Sequence, residues 1–326
     1  MVLSNKIEFR RIFMKNSQSS THGIMKGLDS IRRNWGLYLL LLPALVLTIC
    51  FAYKPMYGVI IAFKDFKPAL GITDSPWADP WFKYFLKFFK SYQFSATIKN
   101  TLLINVYGLL VAFPLPVILA LNINQMHAMR FRKVFQTVTY LPHFISTVVM
   151  VGMIMLFLSP SSGLIGNISA LFGQTAPNLM AKAGAFSSIY VWTDVWQHVG
   201  WDSIIYIAAL SAVDPTLYEA ATVDGASRFQ KLLKIDIPML IPTAVILLIL
   251  RVGNMMSIGF EKVYLMQNDM NLSASEVIST YVYRVGIIST QYSYSAAINM
   301  FNTIINFILL ITVNQISKRV SENSLW

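Results

Sequence analysis

Apolar positions in this chain come in runs too uniform for the stripe of an amphipathic helix and too long for an alternating strand. A bilayer core of about 30 Å takes roughly 20 mainly apolar residues per helix. Six stretches meet that need: Gly36 to Tyr53, Thr101 to Asn122, Val138 to Leu158, Ser187 to Ser211, Pro238 to Phe260 and Tyr294 to Ile316. The pattern therefore predicts an all-α, polytopic membrane protein with six transmembrane helices. Pro55 is expected to end the first of them, since proline lacks the N–H that would continue the helix. Each span contains a proline, glycine or polar group, which suits a bundle packed around a pathway better than a set of anchors.

Composition closes off the other classes. Of 326 residues 55% are hydrophobic and only 13% charged, against roughly a quarter charged in soluble domains. With 21 Phe, 15 Tyr and 7 Trp the chain holds too much apolar surface to stay disordered. The single cysteine, Cys50, lies in an apolar run and excludes disulfide frameworks and thiolate clusters.

The net charge of +11 is explained by topology rather than by a nucleic-acid partner. Lys6, Arg10, Arg11, Lys15, Lys26, Arg32 and Arg33 precede the first span; Arg130, Arg132 and Lys133 follow the second. Arg228, Lys231 and Lys234 lie between the fourth and fifth, and Lys318 with Arg319 follow the sixth. The positive-inside rule then places both termini in the cytoplasm. Lys64, Lys67, Lys83, Lys87 and Lys90 in the first outer loop run against it, but they alternate with Trp77, Trp81 and several Phe residues, as in an interfacial amphipathic segment. The expected organisation is a cytoplasmic arm over 1–35, a transmembrane domain over 36–316 with its core at about 97–316 and a loop at 212–238, and a cytoplasmic tail over 317–326. The arm is too long and too charged for a cleaved signal peptide.

Ionisable groups at membrane depth are functional candidates by default. In the fourth span Asp194, His198 and Asp202 recur every four residues and share a face, with Gln197 and Trp201 beside them and Trp192 and Trp196 on a neighbouring stripe. Acids, amides and indoles of this kind bind sugars through hydroxyl hydrogen bonds and ring stacking. Arg251 in the fifth span falls at about the depth of Asp194 at ~1.5 Å rise per residue, so the two are expected to pair. Asn254 and Glu261 follow on the same span, and Asn299, Asn302 and Asn306 on the sixth. Against this stand two plainer readings: the charges form a structural network between spans four and five, and the tryptophans form an interfacial belt. His127 and His143 have no partners at metal-ligand spacing, and no metal site is expected.

The segment Asp214 to Pro238 is different in kind. Glu219, Ala220 and Ala221 favour a short helix; Asp224 and Gly225 suit a tight turn, and Ala226 a close backbone approach. Phe229, Leu232 and Leu233 then form an apolar stripe flanked by Arg228, Lys231 and Lys234, with Pro238 expected to stop this second helix. The run from Glu219 through both alanines and Gly225 to Ile235 and Pro238 resembles the EAA loop of binding-protein-dependent ABC importer permeases. Tyr53-Lys-Pro-Met-Tyr-Gly58, Ala62-Phe-Lys-Asp65, Gly259-Phe-Glu261, Thr280-Tyr-Val-Tyr-Arg284 and Ser324-Leu-Trp326 are similar to the LplB-like sugar permeases, related to the MalF type, that handle oligosaccharides and polysaccharide fragments.

That resemblance implies a type I importer fold in which the loop docks on a cytoplasmic ATPase. It also implies four kinds of partner: a second, homologous permease subunit, two ATPase subunits, an extracytoplasmic substrate-binding protein and the oligosaccharide, all at a bacterial cell membrane. No GxxxxGK[ST] occurs, so ATP and Mg are expected on the partner subunits, with no cofactor and no catalytic residue in this chain. The rivals are an ion-driven carrier using Asp194 or Asp202, and a membrane enzyme, for which no DxD, HExxH or G-x-S-x-G is found.

Overall fold

The computed structural model describes residues 33–126, 128–321 and 324. The expected arm up to residue 32, His127 and most of the tail beyond residue 321 lie outside the described residues. The chain divides into a first unit ending at Ile60 and a second over Ile61–Trp326.

In the first unit, α1 (Trp35–Thr48) is apolar on every side and its large side chains are exposed, as a helix bathed in hydrocarbon must be. Pro55 does not stop it. The backbone widens into a π-helical turn over Ile49–Tyr53 and continues through Lys54–Met56. Proline's ring presses on the carbonyl four residues back, here Phe51, which sits in the middle of the widened turn.

The second unit begins with short elements, among them α2 (Lys83–Phe89). The second span comprises α3 (Tyr92–Ala112) and α4 (Pro114–Asn124), 33 residues in all. It begins earlier than the expected Thr101 because Ser91 caps it, its Oγ accepting from the Phe94 N–H at 3.2 Å. The expected third span is a broken one. Helix α5 (Met129–Tyr140) ends in a tight turn over Leu141–Phe144, and α6 (Thr147–Phe157) departs at 98°. Pro142 cannot donate to the turn before it, and Ser146 caps the new helix instead.

Helix α7 (Phe186–Ser211) is followed at 69° by α8 (Pro215–Val223). Next come α9 (Arg228–Lys231), a π-helical turn over Leu232–Asp236 and α10 (Ile237–Gly253), which make one 26-residue helix. Pro238 therefore does not stop the second helix of the loop. The carbonyl it would strike belongs to Lys234, in the middle of the π turn, so the device seen at Pro55 recurs. This span ends at Gly253, not Phe260, and Phe260 opens a separate α11 (Phe260–Met266). After α12 (Ile278–Tyr283), α13 (Tyr292–Ser321) closes the chain. Among the described residues four helices are long and apolar enough to cross a bilayer, and up to six spans result when each bent pair counts as one.

Three cores hold the second unit together. Ala120, Ile123, Tyr206, Leu210 and Leu240 join α4, α7 and α10. Ile104, Val151, Val191, Val195 and Val263 join α3, α6, α7 and α11. Phe88, Ile278, Tyr281, Tyr294 and Ile298 gather α2, α12 and α13. Helix contacts are close: a Cβ on Gly200 of α7 would lie 2.0 Å from the Thr139 carbonyl oxygen of α5. Polar residues inside, such as Thr97, Thr101 and Ser203, turn their hydroxyls onto carbonyls of their own helix, as membrane bundles do.

Candidate functional site

The loop between α7 and α10 is built by capping. Asp214 caps α8, its Oδ1 accepting from the Thr216 N–H at 2.9 Å, and this backbone hydrogen bond holds the Asp214 carboxyl below the usual carboxylate range. The other end of α8 is a Schellman turn. Gly225 takes φ +74°, the Ala226 N–H reaches back to the Ala221 carbonyl at 2.9 Å, and the Gly225 N–H to that of Thr222 at 3.1 Å. The spacing from the second alanine to the glycine is thus the spacing of a helix stop. Ser227 and Gln230 form a capping box that starts α9, and Lys231 Nζ donates to Thr222 Oγ1 at 2.7 Å, tying the helices across the turn.

The outcome is a projecting helix pair. Glu219, Ala220, Asp224, Gly225, Arg228, Phe229 and Pro238 are exposed, and Ala221 and Ala226 half-buried. Val223 is 89% and Phe229 67% exposed, so the tip of the pair turns two large apolar side chains outward. Beneath it Tyr218 donates to Asp236 Oδ1 at 2.5 Å and Gln125 Nε2 to Asp236 Oδ2 at 3.0 Å. Nothing in the spacing of these three residues links the end of α4, α8 and the π turn, so the sequence alone does not single them out.

Within the spans, Asp194 has a different partner from the one expected. Its Oδ1 lies 3.3 Å from Lys262 Nζ and 3.4 Å from His198 Nδ1, and no ion-pair contact joins it to Arg251. Lys262, only 6% exposed, also donates to the Tyr190 carbonyl and lies over the Tyr190 ring. The early end of α10 is the reason: the chain turns back after Gly253, and α11 brings Lys262 against α7 instead of leaving it in an outer loop. Gln197 is buried and donates to the Ile145 carbonyl at 2.9 Å, bridging the break in the third span. His143, given no role from the sequence, stacks on Trp201 with centroids 4.3 Å apart and planes parallel within 1°. Its Nδ1 is buried without a partner among the described residues.

Arg251 and Asp202 instead line a cleft of about 740 Å³ between α3, α4, α7 and α10, together with Trp201, Tyr206, Phe113 and Asn254. Arg251 also borders a smaller cavity of about 110 Å³ shared with Asp194, Asn105 and Ser257. Trp192 and Trp196 stand half exposed on another side, by a cavity of about 360 Å³, and Trp192 Nε1 donates to the Tyr107 hydroxyl at 2.9 Å. Glu261 is exposed away from these groups. Of the sixth-span asparagines, Asn306 holds the end of α10 in place, accepting from the Met256 N–H and donating to Ser257 Oγ.

A multi-pass helical bundle with a largely apolar cleft that carries Arg251 and Asp202, and a projecting, capped helix pair, defines the class as a membrane permease. Comparison with known proteins gives the family. Residues 112–322 match the family described as binding-protein-dependent transport system inner membrane component, and the chain belongs to it. Over 290 residues it is 38% identical to the polygalacturonan/rhamnogalacturonan transport system permease protein YteP of Bacillus subtilis (strain 168), covering 89% of this chain and 90% of that one. It is 39% identical to protein LplB of the same organism over 300 residues, 92% of this chain and 93% of that one. A solved bacterial ABC transporter involved in the import of the acidic polysaccharide alginate superposes with a TM-score of 0.82 at 38% identity, covering 90% of this chain and 98% of that one.

The fold is accordingly that of an ABC type I importer permease. The chain is a multi-pass inner-membrane permease subunit and not an enzyme, with ATP hydrolysis on separate subunits. It works with a second permease, ATPases and a substrate-binding protein. The ion-driven carrier suggested by Asp194 and Asp202 gives way to this reading.

Proposed function

We propose that this permease carries an acidic oligosaccharide, a fragment of a uronate-containing polysaccharide, inward across the membrane. The observation that carries the reading is Arg251 on the 740 Å³ cleft, beside Trp201 and Tyr206. Guanidinium presents paired donors that match a carboxylate, and aromatic rings stack on sugar faces. The alginate importer and the polygalacturonan permease among its relatives support an anionic cargo. Asp202 shares the cleft wall with Arg251 and Trp201, Asp194, paired with Lys262 and His198, borders the smaller Arg251 cavity, and Gln197, Trp192 and Trp196 lie away from the cleft. ATP and Mg act on the partner subunits.

In the same reading, α8 and α9 sit in a groove of the ATPase, with Glu219, Ala220, Ala221, Asp224 to Ala226, Arg228 and Phe229 at the contact. This end of the bundle is cytoplasmic, as are both termini. Gln125, Tyr218 and Asp236 meet at this end, and Arg130, Arg132 and Lys133 follow Gln125 closely, which supports that orientation.

The test is uptake into proteoliposomes holding the full importer and its binding protein. Oligogalacturonate or alginate pentasaccharide should enter and maltopentaose should not. R251Q should cut acidic uptake by about 10- to 100-fold, the worth of one charge-assisted hydrogen bond of roughly 1.5–3 kcal/mol. Equal uptake of neutral and acidic pentasaccharides, or wild-type rates in R251Q, would overturn the acidic cargo.

A further inference from the structure

Asp236 is wholly buried, and its carboxylate faces no lysine or arginine at ion-pair distance among the described residues. A buried carboxylate is tolerated only when hydrogen bonds replace its water. Here both oxygens are served, one by Tyr218 and the other by Gln125. These donors come from different elements. Tyr218 projects from α8, Gln125 caps the end of the second span, and Asp236 lies in the π turn at the entry to the fifth span.

We infer that Asp236 is a positioning residue for energy coupling, a clasp that makes α8 move as one body with the second and fifth spans. The inference rests on the reading of α8 as the ATPase-docking helix and adds to it the route by which a displacement of that helix reaches the membrane. The observation behind it is mechanical. Among the side-chain hydrogen bonds of the described residues, the one that ties α8 to the bundle is that of the Tyr218 hydroxyl, while Lys231 to Thr222 ties it to the next helix of the loop. The two spans it grips are two of the three that border the Arg251 cleft, and α4 and α10 pack with α7 in the Ala120, Tyr206 and Leu240 core. The π turn serves the clasp geometrically as well: the extra residue per turn around Pro238 sets the register in which Asp236 faces inward while Lys234 remains exposed.

A connector of this kind is distinguishable from a purely structural contact by what it does to stoichiometry. In the assembled importer, Y218F removes only the hydroxyl, and D236N keeps size while removing charge. Each should leave the four-part complex intact on a sizing column yet lower saccharide transported per ATP hydrolysed by fivefold or more. The double variant should be no worse than the poorer single one, because both remove the same link. An unchanged transport-to-ATP ratio in Y218F and D236N, or strictly additive losses in the double variant, would overturn the clasp. E219K is the control for the reading beneath it. Loss of ATPase from the purified complex in E219K with a normal ratio in Y218F sinks the clasp alone. E219K that still assembles and still couples removes the docking reading and the clasp with it.

Discussion

Lys262 shows how one residue's meaning changes with its surroundings. Beside Glu261 in the sequence it looks like a solvated charge pair at a span's end; in the fold one is buried against Asp194 and the other is exposed. K262M should cost about 1–3 kcal/mol, the price of leaving a partly buried carboxylate with one fewer donor, and K262R should recover part of it. Thermal melts of the detergent-solubilised protein check this, and a K262M that melts with wild type would show that His198 alone suffices. In the segment ahead of the second span, Asp65 offers a pH readout. The Tyr84 hydroxyl at 2.5 Å, then Lys83 at 2.9 Å, hold its carboxyl below its ordinary value, while burial, with the bond to Asp65, pushes Tyr84 up to about 12. A depressed carboxyl stabilises the fold above its unfolded pKa of about 3.9 and loses that contribution as pH falls through the folded value. Wild type should therefore melt above Y84F at pH 7, and the gap should shrink below about pH 4; a gap that stays constant to pH 2.5 would disprove the linkage.

At the scale of elements, glycines decide where helices end and how near they come. G225A meets no neighbouring atom, so its whole effect is backbone strain at φ +74°, about 1–2 kcal/mol, felt in the α8–α9 turn and not in the spans. G200A instead drives a methyl into the Thr139 carbonyl of α5 and should prevent stable folding altogether. Expression and melting of the two variants separate these mechanisms: G225A should be made at normal levels with weakened ATPase binding, G200A hardly at all. Much of this level was legible beforehand. Apolar runs located the spans, and the alanines, glycine and proline located the loop, because capping and helix stops are local. The break at Leu141–Phe144, the early end at Gly253 and the passage of helices through Pro55 and Pro238 were not. A proline's effect depends on whether the backbone can widen one turn ahead of it, and packing settles that.

For the molecule as a whole, the exposed surface carries Leu110, Ile118, Phe157 and Phe307, while Thr97, Ser203 and Asp236 are buried, the inversion expected when hydrocarbon replaces water as solvent. Orientation follows from a labelling experiment. With Cys50 replaced by serine, a cysteine at Val223 should react with an impermeant maleimide only in inside-out vesicles, and one at Met270 only in right-side-out vesicles, both sites being widely exposed. The opposite pattern would invert the topology.

By itself the sequence determined that the chain lives in a membrane, roughly where it crosses, and where the two short helices of the loop between α7 and α10 lie, since hydropathy, charge flanks and caps are properties of neighbouring residues. Only the tertiary structure decided that Asp194 belongs with Lys262, that Arg251 is left to the cleft, and that Tyr218, Gln125 and Asp236 close on one another. Those pairings join residues 68 to 111 positions apart or across a turn. They depend on where helices bend and stop, and equal depth in the bilayer does not choose among the partners a bundle can bring together.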